Sequence, residues 1–134
     1  MDGAVYFVTW RVRAGLTDLS DVERNCIVTA IQHFDGARYF LEAYVVMNDH
    51  VHVLVQVSPD FPLEEIVHSW KSFTANRLQR RHGREGTVWQ QEYFDRVVRD
   101  DEEYVQKRGY ILNNPRKRWP EIESYRRLWT IGVD

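Results

Sequence analysis

The sequence predicts an α+β fold in which an antiparallel sheet carries helices packed on one face. Three observations predict it: segments alternating apolar and polar residues, two apolar runs joined by a two-residue polar turn, and stretches of helical apolar spacing between them. At 134 residues the chain suits one domain, residues 1–134, around one core.

Residues 5–13, VYFVTWRVR, place Tyr6, Val8, Trp10 and Val12 on one face and Phe7, Thr9, Arg11 and Arg13 on the other, the pattern of a half-buried strand. Ser20 and Glu23 form a capping box ahead of Cys26, Ile27, Ala30, Ile31 and Phe34, so a first helix runs from about residue 20 to 34 and ends at Asp35-Gly36. The runs RYFLEAYVVM and HVHVLVQV, separated by Asn48-Asp49, make an antiparallel hairpin. Pro62, followed by Leu63, Ile66, Val67, Trp70, Phe73 and Leu78, describes a second amphipathic helix with a basic distal end at Arg77, Arg80 and Arg81. The stretch HGREG breaks it. Residues 87–99, TVWQQEYFDRVVR, form an irregular strand. The acidic run from Asp100 to Glu103 suits the first turn of a third helix that reaches Asn113 or Asn114 and is stopped by Pro115. Strand, helix, strand, strand, helix, strand is the ferredoxin-like order, with the helices on one sheet face and the other face free. The last 16 residues, WPEIESYRRLWTIGVD, are too aromatic for a disordered tail.

The net charge of −2 argues against a uniformly basic nucleic-acid binder, but the charges are segregated. Residues 1–67 carry 4 Lys and Arg against 10 Asp and Glu, residues 68–118 carry 12 against 7, and the tail carries 2 against 3. A basic middle behind an acidic front suggests one phosphate-facing surface. No run of 18 apolar residues and no secretory leader pattern occurs, and Cys26 is the only cysteine. A cytoplasmic protein without disulfides or membrane attachment is expected, with Cys26 buried and reduced.

In HVHVLVQV the two-residue period puts His50, His52, Leu54 and Gln56 on one face and Val51, Val53, Val55 and Val57 on the other. The valines take the core. Two imidazoles then share the open face with backbones roughly 7 Å apart, from which both rings can converge on one cation, zinc included. On the third helix Tyr104, Val105, Ile111 and Leu112 form the apolar stripe. Tyr110 falls outside it, beside Glu103, Gln106 and Lys107, with Asn114 four residues on along the same face. Gly109, costly by about 1 kcal/mol in a helix interior, calls for close backbone approach or a hinge.

The strand MNDHVHVLV, the later segment WQQEYFDRVVRD and the ending YILNNP resemble, in order and spacing, the single-tyrosine HUH transposases over nearly the whole chain. The likeness is closest to the REP-associated tyrosine transposases, in which an asparagine followed by proline stands four residues after the tyrosine. Here that asparagine is Asn114. One departure is the turn before the histidines, often proline-asparagine and here Asn48-Asp49. The resemblance implies an HUH endonuclease fold in which His50, His52 and Asn114 bind Mg²⁺ or Mn²⁺ and Tyr110 attacks the phosphate of single-stranded DNA with hairpin ends. The products would be a 5′-phosphotyrosine and a free 3′-hydroxyl, from which a second strand can be joined without ATP. No Walker-type phosphate loop is present.

For DNA contact, Trp89, Tyr93 and Phe94 lie among Gln90, Gln91, Arg96 and Arg99, and Arg116-Lys117-Arg118 follows the tyrosine. Rings interleaved with cations suit single strands, although Trp89 and Phe94 also fit a core. Arg11 and Arg13 share the open face with Thr9 and are candidates for phosphate contacts. Lys71, Arg77 and His68 read as solvated surface. Two other readings fit: a domesticated hairpin-binding module with little transposition activity, and a zinc phosphodiesterase with a structural tyrosine. Sequence leaves open monomer or homodimer, and whether the third helix docks on its own sheet or a partner's.

Overall fold

In the computed structural model, residues 3–132 are described. Strand β1 (Val5–Arg11) leads through helix α1 (Asp21–Gln32) to the hairpin of β2 (Tyr39–Val46) and β3 (His50–Val57); α2 (Leu63–His82), β4 (Phe94–Val98), α3 (Asp101–Arg118) and a short β5 (Leu128–Thr130) follow. All pairings are antiparallel and the strand order is β4-β1-β3-β2-β5, so β3 is central. The first four strands keep the ferredoxin-like order.

α1 starts where the capping box places it, with Ser20 accepting from the Glu23 N–H and Glu23 accepting in return. The same Glu23 carboxylate is buried against Arg84, which also donates to the Thr17 and Asp18 carbonyls and ties the start of α1 to the end of α2. Gly83 ends α2 in the left-handed conformation.

α1 and α2 cover one sheet face, where Val8, Trp10, Val51, Val53, Val55 and Val57 pack with Ile27, Ile31, Val67, Trp70 and Leu78. Trp89 belongs to this core. It is 3% exposed, stands edge-on to Trp10, and gives its indole N–H to the buried Thr74 hydroxyl. Phe73, expected inside, is exposed at 44%, because the α2 stripe continues through Thr74, whose hydroxyl is satisfied by the Trp70 carbonyl. Cys26 is half-buried and reduced.

The opposite face is not free. α3 docks on its own sheet, with Ile111 fully buried against Phe7, Ala43, Val45, Met47 and Leu54. Phe7, Val8, Thr9 and Trp10 are consequently all buried, so β1 is covered on both sides rather than half-buried. Within the expected stripe, Tyr104 packs at the margin of this second core and donates to Glu42, whereas Val105 is 66% exposed. Asp100 caps the helix on the Glu103 N–H, under an acidic first turn.

Pro115 does not stop α3, which runs on to Arg118 and closes with the Trp119 N–H on the Pro115 carbonyl. Proline removes one intrahelical bond. Its ring is buried here, and the added turn puts Arg116, Lys117 and Arg118 at the negative end of the helix dipole. Gly109 meets no atom within 4 Å of a built Cβ, which rules out close approach as its reason. β5, unforeseen at three residues, adds to the free edge of β2, and Arg108 of α3 donates to the Thr130 hydroxyl and the Ile131 carbonyl.

Truncating the anchor of α3, Ile111→Ala, is expected to lower stability by about 2–4 kcal/mol. Val105→Ala should change it by less than about 0.5 kcal/mol. Urea midpoints of the two variants check this assignment of the buried stripe.

Candidate functional site

β3 sets the site's geometry. Its valines belong to the α1/α2 core, so the alternate positions His50, His52 and Leu54 face α3. The two rings lie 4.7 Å apart between centroids. The β1–β3 register pairs Thr9 with His52 and Arg11 with His50, and the Thr9 hydroxyl reaches His52 Nδ1 at 2.7 Å. Phe7 stacks on His52 at 5.4 Å.

From the other side, α3 brings Tyr110 to 5.1 Å from the His52 ring and edge-on to Phe7 at 5.9 Å. One turn further along, Asn114 is 5% exposed with Oδ1 at 3.0 Å from His50 Nε2. His50, His52, Tyr110 and Asn114 of a single chain thus meet beneath one helix. Tyr110 itself is 40% exposed and lines an open cleft of about 380 Å³ with Phe7, Thr9, Arg11, His52, Phe94 and Lys107.

The electrostatics are lopsided. Lys117 Nζ stands 4.5 Å from the Tyr110 ring centroid, and Lys107, which lines the same cleft, has Nζ 5.0 Å from the Phe7 ring centroid. His52, 2% exposed, is pushed from the ordinary imidazole value of 6.5 down to about 3, first by burial and then by His50, Arg11 and Lys117. It is held neutral. Its Nε2 is buried and has no hydrogen-bond partner, in a ring whose centroid lies 4.7 Å from that of His50. Two neighbouring imidazoles, one of them already in contact with an amide oxygen, offer donors of the kind that suit a divalent cation.

The expected DNA contacts divide. Arg11 lines the cleft, Lys117 covers the tyrosine, and Arg116 and Arg118 lie exposed on the last turn of α3, Arg118 over Trp119. Phe94 is open at 56% beside Tyr110. Trp89, buried in the α1/α2 core, offers no face to a base. Arg13 is tied to the Thr87 carbonyl, and the exposed Gln90 gives its backbone N–H to Arg11. Tyr93 faces Lys71 and α2. Arg96, though exposed, is paired with Glu103 through two hydrogen bonds, and Arg99 is exposed beyond β4. Sequence reasoning assigned no role in the site to Thr9 or Asp49. Asp49 Oδ1 lies 2.6 Å from His50 Nδ1. The signals were there: Thr9 shares the strand face of Arg11, and Asp49 adjoins a candidate ligand.

The model of the family described as "Transposase IS200 like" matches residues 7–114, from β1 through Asn114. The chain belongs to the IS200-like transposase family. A Haemophilus influenzae protein assigned as a REP-associated tyrosine transposase is 26% identical over 129 residues, spanning 86% of this chain and 72% of its own. Among solved structures, a REP-associated tyrosine transposase bound to a REP hairpin superposes with a TM-score of 0.71 at 17% identity, covering 89% of this chain and 70% of that one. A Deinococcus radiodurans protein assigned as a transposase gives a TM-score of 0.60 at 24% identity, covering 84% and 92%. The fold of this IS200-like transposase is therefore that of tyrosine transposases.

Burial of a neutral His52 is expected to make the protein sensitive to acid. Its folded value of about 3 lies below the 6.5 of the unfolded chain, so its contribution is complete above about pH 6.5 and is lost as pH falls toward 3, where only the unfolded state takes up the proton. Urea midpoints measured from about pH 7 to pH 4 should show a decline worth a few kcal/mol, flattened in His52→Gln. Equal slopes in both proteins would contradict the burial of a neutral His52.

Proposed function

We propose that this transposase nicks single-stranded DNA beside a hairpin and rejoins it through a 5′-phosphotyrosine on Tyr110, with His50, His52 and Asn114 holding Mg²⁺ or Mn²⁺. The observation that carries the reading is the meeting of Tyr110 with His52 and of Asn114 with His50 inside one chain. The relative solved with a REP hairpin supports hairpin-ended DNA as the substrate class.

When bound, the cation would withdraw charge from a non-bridging oxygen of the scissile phosphate. Everything else is the work of the chain. The cleft at Tyr110 is open enough to admit a phosphodiester, and Arg11, Lys107 and Lys117 surround it with positive charge that favours the phosphate and the charge developing during attack. The Tyr110 hydroxyl gives up its proton to solvent as its oxygen forms a bond to phosphorus, the bond to the 3′ oxygen breaks, and that oxygen takes a proton from solvent and leaves as a hydroxyl, so that protons balance. Attack by the 3′-hydroxyl of another strand reverses the step, releases Tyr110 and joins the DNA, the phosphotyrosine having conserved the bond. The neutral, desolvated His52 keeps a lone pair available instead of competing for a proton.

Incubation with labelled single-stranded hairpin DNA and Mn²⁺ or Mg²⁺ should give a covalent adduct that survives denaturation. Tyr110→Phe should lower cleavage by about 10³-fold or more and abolish the adduct. Cleavage persisting in Tyr110→Phe would sink the mechanism, and tight binding without adduct over a broad hairpin panel would favour a binding module.

The two candidate stacking rings should behave differently. Phe94→Ala is expected to weaken single-strand binding by about 1–3 kcal/mol with an unchanged melting temperature. Trp89→Ala should instead destabilise the fold by about 3–5 kcal/mol. Fluorescence anisotropy with an oligonucleotide, beside thermal melts, separates the two effects.

A further inference from the structure

Building on the reading of His50, His52 and Asn114 as a cation site, we infer that Asp49 is a positioning residue that fixes the tautomer and orientation of His50. His50 stands between two oxygens, Asp49 Oδ1 at 2.6 Å from Nδ1 and Asn114 Oδ1 at 3.0 Å from Nε2. An ionised carboxylate only accepts hydrogen bonds, so the nitrogen facing it must carry a proton. In the neutral ring that leaves the lone pair on Nε2, turned toward Asn114 Oδ1. Two acceptors then face each other, an arrangement that a shared cation relieves.

The carboxylate is placed by the backbone. Asp49 gives its carbonyl to the Val12 N–H, and the Asn48 carbonyl accepts from Leu19 while the Asn48 amide donates to Asp18. The turn is thereby tied to β1 and to the segment entering α1. Although Asp49 is half exposed, its partner is not: the His50 side chain is 15% exposed, which sets the contact apart from a solvent-screened surface pair.

His52 is held differently. The Thr9 hydroxyl at its Nδ1 can donate or accept, so it orients the ring without choosing the tautomer. Asp49 chooses for His50, as carboxylate partners of metal-bound imidazoles do.

Nitrogen-15 NMR of the metal-free protein at mildly alkaline pH reads the tautomer directly, and electron paramagnetic resonance of free Mn²⁺ reads affinity. The wild type is expected to show His50 protonated at Nδ1 alone. Asp49→Ala should mix the tautomers and weaken Mn²⁺ binding by about 10- to 100-fold at an unchanged melting temperature. Asp49→Asn, which keeps an accepting oxygen, should fall between. An unchanged tautomer and affinity in Asp49→Ala, or an equal loss from the exposed Asp60→Ala, would overturn the assignment while leaving the cation site standing. No Mn²⁺ binding by the wild type would overturn both.

Discussion

β3 has a neighbour on each edge and a helical layer on each face, so no side chain along its middle escapes being sorted. The two-residue period sends Val51, Val53, Val55 and Val57 toward α1 and α2 and His50, His52 and Leu54 toward α3. A slip of one residue would exchange the two sets, burying imidazoles among tryptophans and turning valines toward α3. The register with β1, which sets Thr9 beside His52, and the docking of Ile111 beside Leu54 both follow from that assignment.

The same arrangement explains why the site is polarised. α3 closes over His52, and burial beneath it keeps that ring neutral while Arg11, Lys107 and Lys117 hold positive charge around the opening. A protein of net charge −2 thereby concentrates cations where a phosphate would lie. The acidic residues of the first half serve elsewhere: Glu23 locks Arg84, Asp18 holds Asn48, and Asp49 meets His50.

Strand alternation and the capping box were legible because they are local. The ferredoxin-like order, the hairpin and the faces of β1 and β3 could all be read from periodicity, and the pairing of Tyr110 with Asn114 from helical spacing. What could not be read depends on partners distant in sequence. Phe73 and Val105 lie at apolar positions of their helices but outside the surfaces actually covered. Trp89 has the composition of a stacking platform, yet an isolated bridge between Trp89 and Val12 carries it into the core. Pro115 reads locally as a stop, and only its burial shows why α3 continues. β5 is too short to display a period, and Thr9 and Asp49 become site residues only once the register of β1 and the turn before β3 are known.

Tyr110 and Asn114 ride on one helix, a single turn of about 5.4 Å apart, and each meets a different histidine of β3. Any rigid displacement of α3 that draws Tyr110 away from His52 also withdraws the Asn114 amide oxygen from His50. The two contacts are geared together. Such a joint excursion strains Arg108, whose side chain ties α3 to Thr130 and Ile131. Thr130, the last residue of β5, and Ile131 after it thus tether α3 to the outer edge of the sheet.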